Sequence, residues 1–378
     1  MNIDLVKGFQ DFLGEDAEKR EEIRKILVKT FESYGFEPAE TPVIEYEKFV
    51  KGENENEEAV SDIFKLKDKG DRNLALRYEF TFQLKRLMQN QKLPYKRFQI
   101  GYVFRDEPVS SNRFRQITQC DVDVIGSSVK EEAEILSITK KIFDSLGIKF
   151  VIYFNNRKLL NEILEEQGVK GEDKIKVIRE IDKLDKLSEK EVLRNLKKFG
   201  AEKVLGVFKK DEKYFEKYKS YEEIKELKKY CKIYGVKVEF SPSLARGLSY
   251  YNGSVFEVKT KEMKETIAGG GSYMFSGVQS TGISFGLERI SSLANLKIEK
   301  EKYLIISLDK DKEAVELAEK LREKGKSIII YYGKPSKALD YANSKKIEKV
   351  IFVGEKEIKK KKFMVKNMGT GKEKLLKI

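Results

Sequence analysis

Apolar residues recur at helical spacing over positions 16–34, where Ile23, Ile26, Leu27 and Phe31 share one face. Gly35 stops that pattern, and the Pro-containing stretch FEPAETPVIE after it reads as extended chain. Over 74–90 a strand-like run, LALRYEF, passes into a helix-like one, TFQLKRLMQN. Two alternating runs, KRFQIGYVFR and FRQITQCDVDVIG, flank the polar segment EPVSSN and predict an antiparallel hairpin with a long loop over 95–126. From about 155 to 234 the chain becomes Lys/Glu-rich, helically periodic and free of proline, which predicts an inserted helical module. Strand-like runs resume at VKVEF, SVFEVKT and TGISFGLE. The tail alternates YLIISL, a helix EAVELAEKLREKG, SIIIYYG, a helix SKALDYANSKK and VIFVG. Strands alternating with helices predict an α/β domain with a largely parallel sheet.

Length and composition narrow this picture. A chain of 378 residues, 40% hydrophobic and 37% charged, is expected to hold two or three domains with a heavily solvated surface. No apolar run approaches membrane-spanning length, and the start MNIDLVKGFQDF lacks the layout of a signal peptide. Two cysteines, Cys120 and Cys231, cannot build a disulfide framework or a CxxC zinc pair, so a reduced, cytoplasmic protein without membrane association is expected. The net charge is +13, and 21 Lys/Arg against 12 Asp/Glu over 301–378 place nine of those charges in the tail. A polyanionic partner suits that balance, although a lysine-rich proteome would also produce it.

The chain contains no histidine. That excludes Ser-His-Asp triads, Cys-His dyads, imidazole bases and His metal sites. Chemistry here must rest on carboxylates, arginines, positioning or a hard cation, which favours phosphoryl or nucleotidyl transfer.

Four clusters carry candidate chemistry. Arg105, in FRDE, is expected to end one strand and Arg113, after the turn, to begin the next, on opposite sides of the hairpin loop; guanidinium forks match phosphate oxygens in pairs. Glu79 and Thr81 in LRYEFT, two residues apart on a strand, would share a face and could hold an ammonium group. LARGLSYY places Arg246 before Tyr250 and Tyr251, and AGGGSY follows with three glycines whose cost in a strand implies a bend or a close approach. GISFGLERI reads as a strand entering a helix with Arg289 near its start, a place that favours phosphate. Each cluster alone also reads as ordinary surface charge, a strand end or a glycine bulge. Neither a P-loop nor a G-x-G-x-x-G pattern is present.

Taken in order, these segments resemble the three signature motifs of class II aminoacyl-tRNA synthetases. Residues 35–45, with Pro42, resemble the first; 98–126, with its F-R-x-E core, the second; 282–290, ending on Arg289, the third. LRYEFT, SLARGLSYYNG, VIREIDKLDK, AGGGSY and QCDVDVIG resemble segments of the histidyl-tRNA synthetase branch, the last in its archaeal and eukaryotic form. The resemblance spans nearly the whole chain. It implies an α+β fold: a class II antiparallel sheet flanked by helices, a helical insertion and a C-terminal α/β anticodon-binding domain. The expected bounds are 1–154 and 236–297 for the two parts of the catalytic domain, 155–235 for the insertion and 302–378 for the tail domain.

The resemblance also implies substrates and roles. L-histidine, ATP with Mg²⁺ and tRNA(His) would be the partners of a homodimer whose interface involves the first motif. Arg105 would hold the α-phosphate, Arg113 and Arg289 the bent triphosphate tail, Glu107 the adenine amino group, and Phe114 would stack on the base. Histidine would lie among Glu79, Thr81, Gln119, Asp123, Arg246, Tyr250 and Tyr251. Arg246 would stabilise charge on the α-phosphate, and no protein side chain is assigned to the metal. Ser249 stands where the family has Asp, Ser272 where it has Arg, and Met274 where it has an acid. A rival reading is a non-catalytic paralogue that binds histidine or RNA as a regulatory subunit. Such paralogues usually lack the tail, which is present here.

Overall fold

The computed structural model describes residues 3–52, 62–110, 113–185, 187–246, 250–296, 301–360 and 362–376. Ser249, with Gly247 and Leu248, therefore lies outside the described residues. The chain divides into two compact units, Met1–Leu296 and Lys297–Ile378.

The first unit is built on an eight-stranded sheet. Its strands are β1 (Glu37–Pro38), β5 (Tyr95–Phe104), β6 (Gln116–Ile125), β7 (Val151–Asn156), β8 (Glu239–Phe240), β9 (Tyr251–Lys259), β10 (Ala268–Phe275) and β11 (Val278–Gly286). The intervening β2 (Ile44–Tyr46), β3 (Lys65–Lys67) and β4 (Asn73–Leu76) form a separate small antiparallel sheet in the order β2-β4-β3. The order in the large sheet is β1-β5-β6-β11-β10-β9-β7-β8. The six central strands run antiparallel to their neighbours, and the edge strands β1 and β8 pair in parallel. The hairpin expected over 95–126 is β5–β6, with Phe104 opposite Gln116 at its loop end.

Alternation decides which face of this sheet is apolar. Phe98, Cys120, Val122, Val124, Phe256, Ile283 and Phe285 point one way and are buried. Helix Gly14–Ser33 covers them with Ile23, Leu27 and Phe31, at the helical spacing its sequence shows. Helix Val129–Ser145 adds Ile135, Leu136, Ile142 and Phe143, and its start is secured by a Ser128/Glu131 capping box. The opposite face carries polar residues and is the subject of the next section.

The helical stretch divides by packing. Leu160, Leu164, Val177, Ile178, Ile181, Val192 and Leu196 make a small core of their own. Helix Tyr221–Ile233 instead turns Ile224, Leu227 and Cys231 into the core of the large sheet. Among the described residues no helix is long and apolar enough to cross a membrane.

In the second unit, strands Lys302–Ser307, Ser327–Tyr332 and Lys349–Val353 pair in parallel, as their alternation with helices predicts. Helix Asp311–Glu323 packs on Tyr303 and Ile305, while helix Pro335–Ser344 packs with Leu304 and Ile306. Two further strands, Met364–Asn367 and Glu373–Leu375, extend the sheet antiparallel. Sequence pattern did not reveal them, because they are three or four residues long and interrupted by lysine, a composition suited to a sheet edge.

Candidate active site

The polar face of the large sheet is the floor of a cavity of about 670 Å³. Period-two alternation sends Gln119, Asp121 and Asp123 of β6, and Gly282, Ser284 and Gly286 of β11, to that face. Gly269 and Tyr273 of β10 and Glu257 of β9 continue it. Glycine is required at two of these positions. A Cβ on Gly269 would overlap the guanidinium of Arg246, and one on Gly282 would overlap the carboxylate of Asp123. The glycine-rich β10 thus makes room for a neighbouring side chain, which is the close approach that its sequence implied.

One end of the cavity is cationic. Arg105 lies just beyond β5 and donates from Nε to the Tyr78 carbonyl (3.1 Å) and from Nη2 to Gln119 Oε1 (3.4 Å). Arg113 pairs with Glu107, and Arg289 donates from Nη1 to the Thr266 carbonyl (2.7 Å). Burial, together with the nearby charges of Arg113 and Arg105, draws the Arg289 guanidinium below its ordinary range despite the opposing charge of Glu265. Three like charges that disfavour one another in one pocket make a receptor for an anion.

Arg246 occupies the middle of the floor, with Nη1 3.0 Å from Glu257 Oε1. Burial opposes its charge, but Tyr251 and Glu257 outweigh burial and hold it above the usual guanidinium range. The Arg157 guanidinium reaches its backbone carbonyl at 3.4 Å.

The other end is acidic and aromatic. Tyr250 and Tyr251 have ring centroids 4.8 Å apart, and Tyr273 meets Tyr250 edge-on at 5.6 Å. Burial raises all three phenols, so they are neutral at physiological pH. Tyr273 donates to Asp123 Oδ1 at 2.6 Å, and Gln119 Nε2 donates to both carboxylate oxygens of Asp121 at 2.8 and 2.9 Å. Burial also raises Asp123, and raises Asp121 to about 6.

All twelve residues singled out from sequence line this one cavity: Glu79, Thr81, Arg105, Glu107, Arg113, Phe114, Gln119, Asp123, Arg246, Tyr250, Tyr251 and Arg289. Two local expectations are corrected. Glu79 and Thr81 are not on a strand, because β4 ends at Leu76. Arg77 then sends its guanidinium to the carbonyls of Thr41 (2.6 Å) and Tyr102 (2.7 Å) and diverts the chain into a turn. Arg113 does not begin a strand; it bridges to Ser110 inside the loop, and β6 starts at Gln116.

Sequence reasoning passed over several lining residues. Asp121 was legible, since alternation from Gln119 to Asp123 places it on the same face. Glu257 and Asp182, the latter at the end of helix Asp173–Asp182, also line the cavity and carried no local signal. Ser272 is absent from the cavity. It lies on the helix-facing side of β10, buried, and donates its hydroxyl proton to Glu132. The departure at 272 therefore falls on the packed side of the sheet, outside the cavity. Among the described residues no group of three or more His, Cys, Asp or Glu side chains is placed to hold a metal ion.

An antiparallel sheet with a three-arginine pocket at one end of its polar face and an acid-lined pocket at the other is the class II aminoacyl-tRNA synthetase catalytic fold. Comparison with known proteins agrees. The family model for histidyl-tRNA synthetase matches residues 8–290, and that for the anticodon binding domain matches 302–378. This chain belongs to the histidyl-tRNA synthetase family. It is 34% identical to histidine–tRNA ligase 2 of Shouchella clausii, with 97% of this chain and 96% of that one covered. It is 35% identical to the histidine–tRNA ligase of Pyrococcus horikoshii, over 98% and 96% of the two chains. In fold it matches histidyl-tRNA synthetase from a Nostoc species (TM-score 0.86, 23% identity, 100% and 97% covered). It also matches a Bacillus halodurans protein described as an ATP phosphoribosyltransferase regulatory subunit/histidyl-tRNA synthetase (TM-score 0.79, 19% identity, 93% and 98% covered).

Proposed function

We propose that this protein is a histidine–tRNA ligase. It joins L-histidine to AMP with release of pyrophosphate, then passes the histidyl group to the 3′ end of tRNA(His). The observation that carries the reading is one cavity with an anion receptor and an acidic, tyrosine-walled pocket at its two ends and Arg246 between them.

Arg105 takes the α-phosphate and Arg113 and Arg289 the distal phosphates, exchanging their present carboxylate and carbonyl partners for phosphate oxygens. Glu107 and Phe114 receive the adenine. Glu79, Thr81, Gln119, Asp123, Tyr250 and Tyr251 receive histidine, since carboxylates and phenols suit an ammonium group and a ring N–H. A carboxylate oxygen of histidine attacks the α-phosphorus while its bond to the bridging oxygen of pyrophosphate breaks. Arg246 offsets the charge that grows on the α-phosphate. In the second step the terminal ribose hydroxyl of tRNA attacks the histidyl carbonyl and AMP leaves, with a phosphate oxygen of the adenylate accepting the proton. Mg²⁺ brought with ATP would supply charge neutralisation for the pyrophosphate leaving group, and no protein side chain is assigned to hold it. The basic tail binds tRNA, and the enzyme acts as a cytoplasmic homodimer without membrane association.

The regulatory-subunit reading is not favoured, because the four arginines and the tail are all present. The test is amino-acid-dependent ATP–pyrophosphate exchange across all amino acids. Exchange with histidine alone is expected; exchange with another amino acid would reassign the substrate, and none at all would refute catalysis.

A further inference from the structure

Beside the acidic end of the cavity, on the same face of the sheet, lies a guanidinium that no step above uses. Arg97 on β5 is fully buried, the largest side chain among the described residues to be so. It stands opposite Asp123 in the β5–β6 register, and its Nη2 lies 2.8 Å from Asp123 Oδ2. None of its three nitrogens makes a directed hydrogen bond to a described residue. Among the described residues its close partner is a carboxylate and not the backbone. Contrast Arg77, which ties two backbone carbonyls together. What keeps Arg97 in place is the charge of the acids beside it, because an unpaired buried guanidinium would be strongly disfavoured.

We propose that Arg97 is a positioning residue for histidine selection, holding Asp123 as an oriented carboxylate that accepts the imidazole N–H. The inference rests on the histidine reading of the pocket and deepens it. Asp121 and Asp123 are two residues apart on β6, share the cavity face and are both buried, so two negative charges compete there. Without a cation one of them would take up a proton. A protonated Asp123 presents an O–H where the substrate's N–H must donate, and the match is lost. Arg97 removes that outcome from the neighbouring strand, at Oδ2, while Tyr273 secures the other oxygen, Oδ1. Each oxygen keeps a lone pair for the cavity. Gln119 ties Asp121 separately, leaving Asp123 as the acid governed by Arg97. The groups facing Asp123 are Arg97 from β5, Asp121 from its own strand and Tyr273 from β10; Gly282 opposite it on β11 carries no charge. Across the cavity stand Glu79, Tyr250 and Tyr251.

Arg97 and Arg105 are separated by eight residues of extended chain, roughly 26 Å, so a defect at Arg97 should be felt by histidine and not by ATP. Arg97→Gln is expected to raise KM for histidine at least tenfold in pyrophosphate exchange at pH 7 and to leave KM for ATP within twofold. The ratio of variant to wild-type KM should shrink as pH rises, because a higher pH favours ionised Asp123 without help. A histidine KM within twofold of wild type overturns the proposal, as does an equal, pH-independent loss for both substrates. Arg97→Lys, which keeps the charge, is expected to retain wild-type melting behaviour and a histidine KM within about threefold. This variant decides the matter if Arg97→Gln does not fold: a well-folded Arg97→Lys with a tenfold loss for histidine would show that charge is not the agent. Absence of histidine-dependent exchange in the wild type would instead refute the underlying reading.

Discussion

The large sheet of the first unit packs helices on one face and opens the other to a cavity, whereas the parallel strands of the second unit are covered on both. Along β6, Cys120, Val122 and Val124 enter the core while Gln119, Asp121 and Asp123 line the cavity. Along Lys302–Ser307, Tyr303 and Ile305 meet one helix, and Leu304 and Ile306 enter the core of the other. Antiparallel pairing permits a polar face because tight loops return the chain without a crossover; parallel pairing needs helical crossovers, and these occupy both faces. Substitutions on the floor of the first sheet should therefore alter chemistry at little cost to folding. Equivalent positions in the second should alter folding and leave adenylate chemistry intact.

The largest expected effect is at the floor. Arg246→Ala should slow adenylate formation by about 10²–10³-fold, or roughly 3–4 kcal/mol, the cost of removing a preorganised charge from a developing anion. Single-turnover pyrophosphate release measures this, with histidine binding largely retained. A near-normal rate would end the role given to Arg246.

Next comes the core of the second unit. Ile305→Ala should destabilise that unit by about 3 kcal/mol through lost burial and a residual cavity. Thermal unfolding followed alongside two assays checks the contrast: tRNA charging should fall as the tail unfolds while histidine-dependent exchange persists. Parallel loss of both activities would break the comparison.

The smallest effect concerns the packed side of the large sheet. Burial raises the Glu132 carboxyl to about 7 from its ordinary 4.5, even though Ser254 and Ser272 donate to it. The folded state holds this proton more tightly than the unfolded one. Its contribution to stability is thus complete below about pH 4.5 and is lost as pH climbs through 7. Glu132→Gln, neutral throughout, should match wild type in the acid range and exceed it by up to about 3 kcal/mol at pH 8. Melting temperatures across pH 4.5–8 give the answer, and parallel curves for the two proteins would contradict the assignment.

Much of this was legible in the chain. The arginines, LRYEFT and the tyrosine pair stood in recognisable order, and the strand period already carried Asp121 to the side of Gln119 and Asp123. LALRYEF and PVIE were read as strand-like and extended and hold β4 and β2, but β3 and the two short antiparallel strands of the tail were not legible, since three or four residues are too few to show a period. Glu257, Asp182 and Glu132 also escaped notice, for no local pattern distinguishes a buried acid from an exposed one.

Sequence by itself determined the alternating faces of β5, β6 and β11, the helical stripes that cover one face, and the absence of any imidazole from the chemistry. Tertiary structure decided the rest, because pairing across strands is a long-range event. It set Arg97 beside Asp123, moved Glu79 and Thr81 off the strand, sent Ser272 to the packed side, and cleared Gly269 for Arg246. A charge in a sequence acquires its meaning only when burial fixes its neighbours, since removal from water makes their electrostatic effect large enough to govern which proton stays.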